Sequence, residues 1–178
     1  MKLFHGRKRS GTVLPVIITV LLFAAGAMII NYNRNPQVRT AVTLSGISEE
    51  EYFGLNNSKY YDYHDLKKLI VQVDIKNTPN YRFREIRIPD LLKIDRIDEI
   101  RSLKMFQREE NNTGYNYAQS YQFIVFDSTG LTAEDVKRIY ADDIIEVEII
   151  THSGDKILNK YSIGDLLTEK ETKEEAGS

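Results

Sequence analysis

No charged side chain interrupts the eighteen residues Val13–Ile30 (VLPVIITVLLFAAGAMII), and the run sits directly behind Lys2, Arg7, Lys8 and Arg9. As a helix rising about 1.5 Å per residue it reaches roughly 27 Å, near the hydrocarbon thickness of a bilayer. A helix satisfies its own backbone groups, as a lone segment in lipid must, and Pro15 falls in the first turn, where its missing amide has no partner to lose. Basic residues are sparser after the span, only Arg34 and Arg39 following closely, so the positive-inside bias puts residues 1–12 in the cytoplasm and the rest of the chain outside. The pattern predicts a single-pass signal-anchor in the cell membrane. Cleavage after Ala27, within Ala25-Gly26-Ala27, is the alternative, but the apolar run continues through Met28, Ile29 and Ile30.

Beyond the span the period changes to two. Residues 31–39 read as a stalk ending near a first strand, Thr40–Leu44. Ser48 ahead of Glu49, Glu50 and Glu51 predicts a brief capped helix, stopped by Gly54, Asn56 and Asn57. Leu69, Val71, Val73 and Ile75 alternate with Gln72, Asp74 and Lys76, the signature of a half-buried strand. A turn over residues 77–80 is expected to return the chain as a second strand, Tyr81–Ile88, ending at Pro89. Residues 90–101 suggest a helical turn leading into a strand. The arms Ser102–Glu109 and Tyr115–Phe126 flank Asn111, Asn112, Thr113 and Gly114, a hairpin signal, and the second arm turns apolar on both faces at Phe123–Phe126, as a central strand does. Thr132 caps a two-turn helix over Val136–Tyr140. Ile144–Ile150 pairs with Lys156–Tyr161 across His152–Asp155, and Ile163, Leu166 and Leu167 close a last turn on the core. Residues 168–178 (TEKETKEEAGS) hold no large apolar side chain and predict a disordered charged tail.

About seven short strands with turns every 8 to 12 residues predict a mostly β chain, an antiparallel sandwich over 40–167 with one short crossover helix. Val71–Asn77 (VQVDIKN), a strand beyond a turn, QFIVF at 122–126, the capped LTAEDVKRIY and the closing hairpin resemble the immunoglobulin-like domains of bacterial membrane-anchored or lipid-anchored proteins of unknown function. The resemblance covers about 41–167 and lies in architecture, since the chain has neither the cysteine pair nor the tryptophan of antibody domains.

Composition narrows the partners. With no cysteine the exported part has no disulfides, which fits a bacterial envelope better than a secreted eukaryotic domain. After the basic tail the chain carries 20 basic against 26 acidic residues, the wrong sign for a nucleic-acid partner.

The one stretch resembling a catalytic motif is FIVFDSTGLT at 123–132, similar to the aspartyl nucleophile of haloacid-dehalogenase-type phosphatases, but Leu131 stands where that family has threonine. Asp142 and Asp143 also follow too soon for its acidic pair. Asp127–Gly130 therefore reads as a strand-end turn. Asp62, His64 and Asp65 are crowded into one loop with nothing converging on them, so no metal or cofactor is expected, and no small-molecule substrate is evident. Eleven tyrosines without a tryptophan stand out, and Tyr60, Tyr61, Tyr63, Tyr115, Tyr117 and Tyr121 fall in loop or hairpin segments where tyrosine serves recognition. The expected function is a non-catalytic, membrane-tethered module engaging an envelope protein through these tyrosines or a sheet edge. Its alternatives are a bitopic subunit of a secretion, conjugation or division complex, a minor pilin-like protein processed after Gly11, and, further off, an extracytoplasmic enzyme.

Overall fold

The described residues form eight strands: β1 (Gln37–Gly46), β2 (Leu66–Lys76), β3 (Tyr81–Arg87), β4 (Ser102–Glu110), β5 (Ala118–Asp127), β6 (Ile144–Thr151), β7 (Lys156–Ser162) and β8 (Leu167–Lys170). Three short helices join them: α1 (Glu49–Phe53), α2 (Ala133–Ile139) and α3 (Ile163–Leu166). The computed structural model describes residues 17–18, 21–24, 26, 36–56, 60–76, 78, 81–98, 100–112 and 115–170.

The chain divides into two compact units, Met1–Pro36 and Gln37–Ser178. In the first, residues 17–18, 21–24 and 26 are helical, with Leu21, Leu22 and Phe23 exposed. The expected span over 13–30, like the tail over 1–12, lies largely or wholly outside the described residues. Among those described, no helix is long and apolar enough to cross a membrane.

The second unit is mostly β, two sheets in a sandwich-like arrangement: five strands ordered β4-β5-β2-β1-β8 and three ordered β3-β6-β7. Every pairing is antiparallel except β1 with β8, where Val42–Ser45 run alongside Leu167–Lys170. The inward positions are those of the period-two reading. Leu69, Val71, Val73 and Ile75 are fully buried and meet Val42 and Leu44 of β1, Ile124 and Phe126 of β5, and Ile145, Val147 and Ile149 of β6 in one core. Each such side chain contributes roughly 1.5–3 kcal/mol through burial.

The helix signals act as read. Ser48 and Glu51 form a reciprocal capping box on α1, and Thr132 and Asp135 form another on α2. The helix α2 carries the chain from β5 in one sheet to β6 in the other. Leu91–Arg96 is a 3-10 turn leading to β4.

Four expectations change. The first strand opens at Gln37, three residues inside the expected stalk, because β2 extends to Lys76 and offers Gln37 a partner. The strands on either side of 77–80 do not pair: β2 lies in the five-stranded sheet and β3 in the three-stranded one. That connection crosses the sandwich, and the buried Thr78 ties it to the β4–β5 loop through a bond from its amide to the Asn116 carbonyl. The α2 helix starts at Ala133, three residues early, directly behind its cap. Thr168–Lys170, assigned to the charged tail, form the edge strand β8; residues 171–178 lie outside the described residues.

Candidate interaction surface

Register sorts the outward side chains of the five-stranded sheet into rows. One row runs Phe106, Phe123, Ile70 and Thr43 across β4, β5, β2 and β1; the next runs Arg108, Tyr121, Gln72 and Ala41. Phe106 and Phe123 stack with centroids 5.4 Å apart, and Tyr121 meets both edge-on at 6.3 and 6.0 Å. Phe106 keeps 43% of its surface exposed, so this apolar row faces solvent. Lys68 lies over the Phe123 ring, 4.8 Å from its centroid, while its ammonium bonds Glu51. Burial works against the Glu51 charge, but the bonds from Lys68 and the Ser48 amide outweigh it and hold the carboxyl below its ordinary value.

The exterior of the three-stranded sheet is built differently. Arg87 pairs with Glu85 and Glu146, Lys160 with Glu146, and Lys156 with Glu148 at 2.6 to 3.2 Å, and these charges are set among the outward side chains of Phe83, Ile150 and Leu158.

The six tyrosines do not form one patch. Tyr61 and Tyr63 lean on a second small core of Ile47, Leu55, Leu66 and Val125, capped by Tyr52. The Tyr63 hydroxyl donates to the Ile47 carbonyl at 2.7 Å and the Tyr52 hydroxyl to the Tyr61 carbonyl at 3.1 Å, so these two phenols, with the Tyr61 ring packed beside them, hold the lobe around α1 onto the sheet. Tyr60 is 73% exposed beside them. Tyr115 and Tyr117 stack at 5.4 Å at the opposite end, since Ala118 to Val125 along β5 spans roughly 23 Å. Tyr121 alone joins the aromatic row, whose principal members, Phe106 and Phe123, lie outside the tyrosine set.

The Tyr115–Tyr117 pair is held from below by a buried arginine. Arg84 of β3 donates to the Asn111 side chain at 2.6 Å, to Thr78 Oγ1 at 2.7 Å, and to the carbonyls of Tyr115 at 3.0 Å and Asn112 at 2.7 Å, with Tyr81 beneath its guanidinium. Burial pulls its pKa below the ordinary guanidinium value.

The remaining polar positions are absorbed in turns. Asp127 turns its carboxylate onto the Thr129 amide and hydroxyl at 2.9 and 2.6 Å, and Gly130 follows with φ of 75°. Asp62 caps a 3-10 turn by accepting from the His64 amide, and the Asp65 carbonyl accepts from Ser128. Among the described residues, no group of three His, Cys, Asp or Glu side chains could hold a metal ion. A cleft of about 390 Å³ between the 91–96 turn and α2 is lined by Asp90, Lys93, Arg96, Ile97, Ile139 and Asp143. Its charges are already joined as Lys93–Asp143 and Arg96–Asp90 pairs.

The chain matches no protein-family model, no curated protein and no solved structure.

Proposed function

We propose that this chain is a membrane-tethered, extracytoplasmic binding module that holds an envelope protein and works without catalysis. The observation that carries this reading is the contrast between the two sheet exteriors. The three-stranded sheet interleaves its ion pairs with separate apolar side chains, Phe83 and Leu158; the five-stranded sheet gathers Phe106, Phe123 and Tyr121 into mutual ring contact beside Ile70, large rings of the kind enriched where proteins meet. Tethering to a membrane supplies the rest of the mechanism, since confinement raises effective concentration near a neighbour in the same membrane.

The tether reading rests on the uncharged run 13–30 behind four basic residues, and it accords with the exposure of Leu21, Leu22 and Phe23 on their helical turn. An immunoglobulin-like assignment for the second unit is supported by strand order. The sequence β4-β5-β2-β1 against β3-β6-β7 follows the D-E-B-A and C-F-G sheets of constant-type immunoglobulin domains, with β8 added beside β1.

A chain without cysteine allows a direct test. Single-cysteine variants S10C and N159C in intact protoplasts are expected to differ, with only N159C reacting with a membrane-impermeant maleimide. A photocrosslinking residue at Phe106 or Tyr121 is expected to capture one defined envelope protein, and one at Lys160 to capture none. Labelling of S10C alone, or equal capture from both faces, overturns the proposal.

A further inference from the structure

The free edge of β4 is unusually open: Lys104 through Glu109 are exposed on both faces of the strand, and no other described strand lies beyond it. Such an edge presents unpaired backbone groups, and charged side chains along it normally discourage a second strand. Here the charges discriminate between registers. We propose that β4 is a homotypic docking edge, on which a second copy of this chain adds its own β4 antiparallel with Gln107 on the two-fold axis.

An antiparallel pair must set outward side chains opposite outward ones, so the axis falls on a residue and neighbouring registers differ by one residue in its position. With the axis on Phe106, Lys104 would face Arg108 twice, like against like. With the axis on Arg108, Glu110 would sit opposite Phe106 and the ladder would shorten. With the axis on Gln107, Lys104 faces Glu110 twice, Phe106 faces Arg108 twice, and the two Gln107 amides meet at the centre. Opposite charges and a cation over an aromatic ring are favourable cross-strand pairs, so the Gln107 register over Lys104–Glu110 is favoured although the Phe106 register would pair the longer span Ser102–Glu110. Arg108 already bonds Glu110 within its own strand, so the incoming Lys104 would complete a cluster of three charges on each side.

The edges β7 and β8 lack this self-complementarity, and on the edge strand β3 Arg87 is already held by Glu85 of its own strand and Glu146 of β6. Between Lys156 and Ser162 the only charges on β7 are two lysines, both engaged by glutamates of β6, and β8 spans four residues. Pairing through β4 would join two five-stranded sheets into one and set their aromatic exteriors side by side. The proposal does not rest on the envelope-partner reading, because K104E leaves Phe123 and Tyr121 in place for that partner.

The test uses the full chain in detergent, where an engineered cysteine is the only thiol. Under mild oxidation Q107C is expected to give a disulfide dimer at least fivefold more abundant than F106C, which reports the neighbouring register. Adding K104E to Q107C is expected to reduce the dimer at least fivefold, and adding E110K as well to restore it. Circular dichroism and thermal melting verify that each variant folds. Equal yields from F106C and Q107C, or a dimer insensitive to K104E, overturn the proposal. So does a chain that sediments as a monomer while a photocrosslinker at Gln107 captures a different protein, which would assign the edge to a foreign strand.

Discussion

The hydroxyl of Tyr140, at the end of α2, donates to the backbone carbonyl of Leu91 in the 3-10 turn before β4, and both residues are fully buried. The bond joins two crossovers that lie 49 residues apart in sequence. Y140F keeps the ring and strands the Leu91 carbonyl, so it is expected to lower stability by about 1–3 kcal/mol in a denaturant titration.

The same phenol sets an alkaline limit. Burial raises its pKa above the ordinary 10.0, so its contribution is intact below that value and is lost as pH climbs toward the raised one in the folded state. Above pH 10 this residue alone removes up to about 1.4 kcal/mol per pH unit. Denaturation across pH 9 to 11 is expected to show a shallower decline for Y140F than for the parent.

Arg84 is expected to tolerate no substitute. A lysine keeps the charge but cannot reach the Asn111 side chain, Thr78 and two carbonyls together. R84K is expected to cost roughly 2–3 kcal/mol and to speed amide exchange around Tyr115 and Tyr117, a local effect that hydrogen-exchange mass spectrometry resolves.

Gly164 of α3 lies against the end of α2, its amide donating to the Tyr140 carbonyl. A methyl group there would sit 2.4 Å from the Lys137 carbonyl oxygen and 2.9 Å from the Ala141 Cα, both backbone atoms. G164A is expected to destabilise by about 1–3 kcal/mol, measured by thermal melting.

Stability and recognition are expected to separate on the aromatic row. Phe106 is nearly half exposed, so F106S should cost under about 1 kcal/mol while abolishing the crosslinking to an envelope protein that the proposed function predicts. F123S should cost roughly 2–3 kcal/mol, because Phe123 also packs on the lobe core beside Val125 and Leu66.

Much of this fold was legible because its signals are local. Alternation at Leu69–Ile75 and Ile145–Ile149, and the caps at Ser48 and Thr132, need only neighbouring residues. What escaped depends on pairing over distance. A hairpin tip centred on Asn111–Gly114 would set Phe106 opposite Gln119, whereas the loop over 111–117 shifts the register and brings Phe106 opposite Phe123. The aromatic row is therefore not written in local sequence, and the conspicuous tyrosines include Tyr61 and Tyr63, whose rings pack on the lobe core. The role of β8 was equally invisible, since Thr168–Lys170 owe their strand to β1 and not to any apolar pattern of their own.

That late strand has a mechanical meaning. Because β8 runs parallel to β1, chain entry at Gln37 and chain exit at Lys170 point away from each other at opposite ends of the pair. Tension drawn between the two ends would slide one strand along the other and load their cross-strand bonds together, where a hairpin would unzip one bond at a time. A protein held at one end and tugged at the other is thereby equipped to resist.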